Sequence, residues 1–139
     1  MRSLVLLVCL LLGACAGQPP RDDSLYQQLG GEPGVTRIVE GMLLRIADDR
    51  RIVEHFQDID IQRLRDKLIE QFCAEAGGPC VYTGDSMEES HKGQALTPSD
   101  FNALVENLQS AMTAEGVSIP AQNRLLARLA PMRGQVIDR

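Results

Sequence analysis

Two glycine breaks, Gly30-Gly31 and Gly77-Gly78-Pro79, cut the chain into segments whose apolar residues recur at helical spacing. In residues 33–47, Val35, Ile38, Val39, Met42, Leu43 and Ile46 follow the i, i+3, i+4, i+7 rule of one buried helix face. Pro33 suits that helix's first turn, where an N–H has no partner to lose, and Asp48-Asp49 closes it. Ahead of it, Ser24 can cap a short helix, LYQQL. RRIVEHF reads as a short helical turn ending in Phe56. Asp60 then caps a helix with Ile61, Leu64, Leu68 and Phe72 on one face and Ile69 beside them, stopped by Gly77-Gly78-Pro79. Thr97-Pro98-Ser99-Asp100 opens a further helix with Phe101, Leu104, Val105, Leu108, Ala111 and Met112 inward, and Gly116 ends it. The last helix, from Pro120, turns Leu125, Leu126, Leu129 and Val136 inward, and Pro131 should kink it. The one candidate strand, Val81-Tyr82-Thr83, has no partner, so the fold class is all-α.

The first residues, MRSLVLLVCLLLGACAGQ, place Arg2 before an apolar run too short to span a bilayer comfortably. A small-residue site follows, which makes residues 1–14 a secretory signal rather than part of the fold. Leu12-Gly13-Ala14-Cys15 resembles the bacterial lipobox, whose cysteine is lipidated and becomes the new N-terminus. An ordinary cleaved signal is the alternative. Two or three acyl chains anchor a protein stably, so the expected location is the periplasmic or cell-surface side of a membrane. Residues 15–23 then form a lipidated tether and residues 24–139 a single domain. With 14 Lys and Arg against 19 Asp and Glu, the net charge of −5 opposes nucleic-acid binding.

Of the four cysteines, Cys9 falls in the signal and Cys15 in the lipobox. Cys73 and Cys80 remain as an even pair in an oxidising compartment, separated by a turn-forming Gly-Gly-Pro. A disulfide is the favoured reading and two buried free thiols the other. So short a loop would gain about 2–3 kcal/mol from closure, and the bond's main role would be to pin a loop.

SMEESHKGQ carries one of two histidines in the chain. Ser86 to Glu89 fits a capping box, and the helix it starts can run only to about Lys92, because Gly93 follows. Met87 is its one apolar residue, so it buries too little surface to hold itself down. His91 ends it and has three readings. It is a helix-end imidazolium favoured by the dipole, a metal ligand together with Cys73 and Cys80, or a single axial ligand to haem iron. Zinc's demand for four ligands weighs against the second. Spacing alone does not choose among them.

From Ser24 to about Ile137 the chain resembles the truncated haemoglobins, most closely their first group. LYQQLGGEPGV, HFQDID, GGPCVYTGDSM and ESHKGQALTPSDF carry the resemblance, in order and at nearly the expected separations. It implies a two-over-two helical sandwich around haem b, with His91 as the proximal iron ligand. Phe56 would pack on the haem face, and Met87 would contribute from the proximal helix. Leu43 would share the distal side with Leu64 and Leu68. Leu43 stands where this family commonly has tyrosine, and Leu64 where it often has glutamine or another residue. Leucine cannot donate to bound dioxygen. A hydrogen bond in a dry pocket is worth about 1–3 kcal/mol, or roughly ten- to a hundredfold in residence time. Oxygen is therefore expected to bind loosely, and carbon monoxide and nitric oxide well. Gln71, one turn beyond Leu68, is placed to reach in. Lys67 would pair with a haem propionate unless it is simply an exposed lysine; Arg63 and Arg65 are weaker candidates. His55 reads as a surface or haem-edge residue, with a second iron ligand as the lesser alternative.

The implied function is reversible binding of a diatomic gas (oxygen, carbon monoxide or nitric oxide) by an extracytoplasmic haem protein. Nitric oxide dioxygenation would need bound oxygen and a reductase partner. The sequence offers neither a flavin motif nor a pocket donor, so catalysis is not expected. The rival is a small helical lipoprotein that binds an apolar ligand or a protein partner without haem.

Overall fold

The computed structural model describes residues 22–139. The signal segment, Cys15 and the tether as far as residue 21 lie outside the described residues. Seven α-helices follow in order: α1 Ser24–Gln28, α2 Gly31–Asp48, α3 Ile61–Glu75, α4 Met87–His91, α5 Pro98–Ala114, α6 Ile119–Leu129 and α7 Arg133–Val136. Two 3-10 turns, Val53–Phe56 and Ala130–Met132, complete the regular structure, and there is no strand among the described residues.

Helix α2 is the central element, packed against both α3 and α5. Its buried face is Val35, Ile38, Val39, Met42 and Ile46, as the periodicity predicts. Phe72 and Cys73 of α3, Leu108, Ala111 and Met112 of α5, and Ala121 and Leu125 of α6 complete the core. Ile61 departs from its expected inward position and is 47% exposed. It lies in the first turn of α3, before the stretch where that helix meets the core. Three polar side chains are buried among the described residues, Gln71, Asn107 and Gln122, and the last two lie where apolar spacing gave no sign of them. Asn107 donates from Nδ2 to Asp49 Oδ2 at 2.7 Å and to the Ala103 carbonyl at 2.9 Å, tying α5 to the end of α2. Gln122 donates to the Val117 carbonyl and to Thr113 Oγ1 across the α5–α6 corner.

The breaks work through backbone geometry. Gly30 and Gly31 have φ of 91° and 64°, the left-handed region that favours glycine. This lets α1 fold back so tightly that a Cβ on Gly34 would collide with the Leu29 carbonyl. At the second break Gly77 has φ 83°, and the Gly78 N–H donates to the Cys73 carbonyl at 2.8 Å. The Cys73 and Cys80 sulfurs are bonded, with their Cα atoms 5.8 Å apart. That geometry ties the end of α3 to the loop that leads into α4.

Three local expectations shift. Helix α1 begins at Ser24, so Asp23 rather than Ser24 holds the N-cap position, without a side-chain cap bond, and the Asp22 carboxylate takes the Ser24 N–H at 3.1 Å. The two last tether residues are exposed, with Asp22 3.9 Å from the Arg124 guanidinium of α6. At α4 only the hydroxyl half of the capping box forms, Ser86 Oγ accepting from the Glu89 N–H, while Glu89 itself stays exposed. The full reciprocal box belongs to α5, between Thr97 and Asp100. Pro131 does more than kink the last helix. Lacking an N–H, it ends α6 at Leu129 and forces a 3-10 turn before α7 resumes.

Candidate functional site

The helices enclose a largely apolar cavity of about 360 Å³. Phe56, Leu64, Lys67, Leu68, Met87 and His91 all line it. Leu43 does not. It is partly buried against the core, and α2 instead presents Met42 and Ile46. These two are i, i+4 and share a face, whereas position 43 is turned about 100° away from position 42. Phe101 and Leu104 of α5, Val136 of α7 and Tyr82 also line the cavity and were not read as site residues from the sequence. The α5 pair lay on a predicted inward face, which marks a core or a pocket equally well. Tyr82 gave no such signal; only the structure shows that a Cβ on Gly84 would strike its ring.

His91 is half-buried at the end of α4, and its Nδ1 lies 2.6 Å from the Met87 carbonyl one turn back. A carbonyl only accepts, so Nδ1 is the donor in this contact, and in the neutral tautomer that makes it the Nε2 lone pair is free. Nε2 has no hydrogen-bond partner among the described residues. Among the described residues no group of three or more His, Cys, Asp or Glu could share a metal ion. The disulfide also removes Cys73 and Cys80 as thiolate ligands, which overturns the three-residue metal reading. A metal on His91 must bring most of its ligand set with it, as an iron porphyrin does. The wide apolar cavity beside one unpaired imidazole nitrogen fits that group.

The polar residues on the wall are engaged with the protein. Lys67 Nζ donates to the Glu70 carboxylate at 2.8 Å and to Thr83 Oγ1 at 2.6 Å. Its ammonium thus closes α3 onto the loop after the disulfide. Gln71, only 7% exposed, turns its amide nitrogen toward the sulfurs of Met87 and Met132, at 3.3 and 3.4 Å. Gln71 lines the cavity beside Leu68, but its amide nitrogen is turned to the α4 side. Tyr82 donates its hydroxyl to the Asp85 carbonyl. Arg63 lines the cavity with a loose, exposed contact to Asp85 at 3.6 Å, and Arg65 faces away to Glu40 and Asp66. His55 lines the rim, with Nε2 3.6 Å from Asp100 Oδ2.

The Lys67 ammonium, aided by the Thr83 N–H and hydroxyl, holds the Glu70 carboxyl down to about 2, against an ordinary 4.5. Between those values the unfolded chain binds the extra proton, so stability rises with pH across that window. The contribution is complete above about pH 4.5 and lost as the pH falls toward 2. Glu70→Gln is expected to lower the thermal midpoint at pH 6 and to leave it unchanged near pH 2. Melting curves by circular dichroism check this; an equal drop at both pH values would rule out the ionised pair as its source.

An all-helical sandwich that presents the His91 imidazole to a largely apolar cavity has the architecture of a globin. The sequence profile of the bacterial-like globins matches residues 24–138. The chain is 31% identical over 113 residues to the group 1 truncated haemoglobin GlbN of Mycolicibacterium paratuberculosis, covering 81% of this chain and 83% of that one. It is 29% identical to GlbN of a Nostoc species, over 84% of this chain and 98% of the relative. Among solved structures, the Fe(III) form of the Tetrahymena pyriformis truncated haemoglobin superposes with a TM-score of 0.80 at 26% identity, covering 83% of this chain and 98% of that one. The 2/2 haemoglobin from Synechococcus, solved in the cyanomet state with covalently attached haem, gives 0.76 at 25% identity over the same shares. The chain belongs to the group 1 truncated haemoglobins.

Proposed function

We propose that the chain holds haem b in this cavity, with His91 Nε2 as the proximal iron ligand, and reversibly binds a diatomic gas. The observation that carries this reading is the His91 imidazole: one nitrogen is spent on the Met87 carbonyl, and the other has no partner among the described residues and lies on a largely apolar wall. Haem, when bound, supplies the open coordination position for oxygen, carbon monoxide or nitric oxide. The chain's own part is to fix the imidazole's tautomer and direction, and to exclude water with Phe56, Leu64 and Leu68. Lys67, Gln71 and Tyr82 already donate to protein acceptors. The pocket is therefore poor in donors: oxygen leaves quickly, while carbon monoxide and nitric oxide, which depend less on a donor, are held well.

The proposed role is ligand binding rather than turnover. Nitric oxide dioxygenation requires retained oxygen and electrons from a reductase, and a wall of leucines does not favour that retention. The Leu12-Gly13-Ala14-Cys15 motif supports a lipid anchor on Cys15 and a site of action on the periplasmic or cell-surface side. A mass spectrum of the mature protein without lipid on Cys15 would end that part of the reading. Absorbance spectra of the oxidised, reduced and carbon monoxide-treated protein test the rest. A Soret band that moves with each treatment is expected. A folded but colourless protein, made with ample haem, would instead favour the haem-free helical lipoprotein.

A further inference from the structure

Helix α4 carries His91 and has no buried residue of its own. Its position relative to the cavity must come from whatever grips it. Residues 133–139 lie against it, α7 packing directly on α4. The Asp138 N–H donates to the Leu96 carbonyl at 3.0 Å, and the Ala95 N–H donates to the Arg139 main-chain oxygen at 3.2 Å. The two backbone bonds run in opposite directions and join the segment just after α4 to the segment just after α7. Arg139 Nη1 also reaches Glu88 Oε1 on α4 at 3.4 Å.

The backbone is distorted at this junction. Ala95 and Asp138 have φ of 51° and 58°, and they are the only non-glycine residues with positive φ among those described. An L residue stays in that region only where its surroundings hold it there. Here each of the two is itself a donor in the reciprocal pair. From the inner side, Gln71 bridges Met87 of α4 and Met132 of the 3-10 turn that leads into α7.

We propose that residues 95–96 and 138–139 form a clasp that positions His91 on the haem iron, with Asp138 and Ala95 as positioning residues. The inference rests on the haem reading above. Opening the clasp frees α4 to shift, and the imidazole turns with it through the Met87 carbonyl.

Asp138→Pro tests this, because proline removes the N–H and forbids positive φ. Asp138→Gly is its control, keeping the N–H and adopting the left-handed backbone without strain. The readouts are the iron–histidine stretching band in resonance Raman spectra of the ferrous protein and the rate of haem transfer to an apo-globin acceptor. Asp138→Gly should match the wild type in both. Asp138→Pro should keep its Soret band, shift or broaden the stretching band, and release haem roughly three- to tenfold faster. An unaltered band and an unaltered transfer rate in Asp138→Pro would overturn the proposal. Should that variant not fold, hydrogen exchange on the wild type decides. The Ala95 and Asp138 amides should exchange together with the Ser90 amide of α4, and unprotected Ala95 and Asp138 amides beside a protected Ser90 would overturn the clasp. A colourless wild type fails the haem reading instead, and exchange still shows whether the clasp holds α4.

Discussion

His91→Ala is expected to fold with unchanged helical content and to lose its haem. The loss should be large because His91 Nε2 has no hydrogen-bond partner among the described residues and lies on the cavity wall, whereas His55 Nε2 lies 3.6 Å from Asp100 Oδ2. Substituting groups that merely orient a ligand typically costs ten- to a hundredfold in affinity. Removing the ligand itself should therefore weaken haem binding by at least about a hundredfold. The fold should survive because α4 contributes no buried residue, and the core is assembled from α2, α3, α5 and α6. Titration of the apo-protein with haem, followed by absorbance and paired with circular dichroism, measures both halves. Haem binding at wild-type affinity in the variant would show that the iron is held elsewhere. Free imidazole should partly restore the spectrum, since it can occupy the space the side chain leaves.

The second large effect concerns the opposite character of the wall. Leu68→Gln should slow oxygen release by roughly ten- to a hundredfold and alter carbon monoxide affinity far less. Leu68 is half-buried and lies one turn from Leu64 on the cavity side of α3, so an amide there gains access to the pocket while its stem stays packed. Gln71→Leu should do little to oxygen release, because the native amide is directed at the Met87 and Met132 sulfurs. Its cost should instead appear in the grip on α4. Stopped-flow displacement of oxygen by carbon monoxide compares the three proteins. A wild-type oxygen off-rate that is already slow, and is indifferent to Gln71→Leu, would contradict a donor-poor pocket.

The parts of this molecule that are written locally were legible. The faces of α2 and α5 follow apolar spacing, Asp60 caps α3 through the Arg63 N–H, and the glycine breaks turn where positive φ is needed. Cys73 and Cys80 could be paired because a short glycine-rich turn brings them together. His91 could be placed at the end of a weak helix because Gly93 stops it.

The pocket wall was less legible. Leu43 and Met42 are neighbours in the chain and equally apolar, and only the rotation of α2 against α3 and α5 decides which one faces the cavity. Lys67 shows its charge in the sequence, but its partners Glu70 and Thr83 meet it only because the disulfide-tied loop folds back over α3. Gln71 spends its amide on sulfurs 16 and 61 positions away.

By itself the sequence determined that the chain is helical, where its helices break and which histidine ends α4. Those properties depend on hydrogen bonds and side chains within a few residues of one another. Only the tertiary structure decided which side chains form the cavity, which polar groups are spent, and that residues 138–139 clasp the helix carrying His91. These depend on how whole helices rotate and on contacts between distant segments, and no local spacing encodes either.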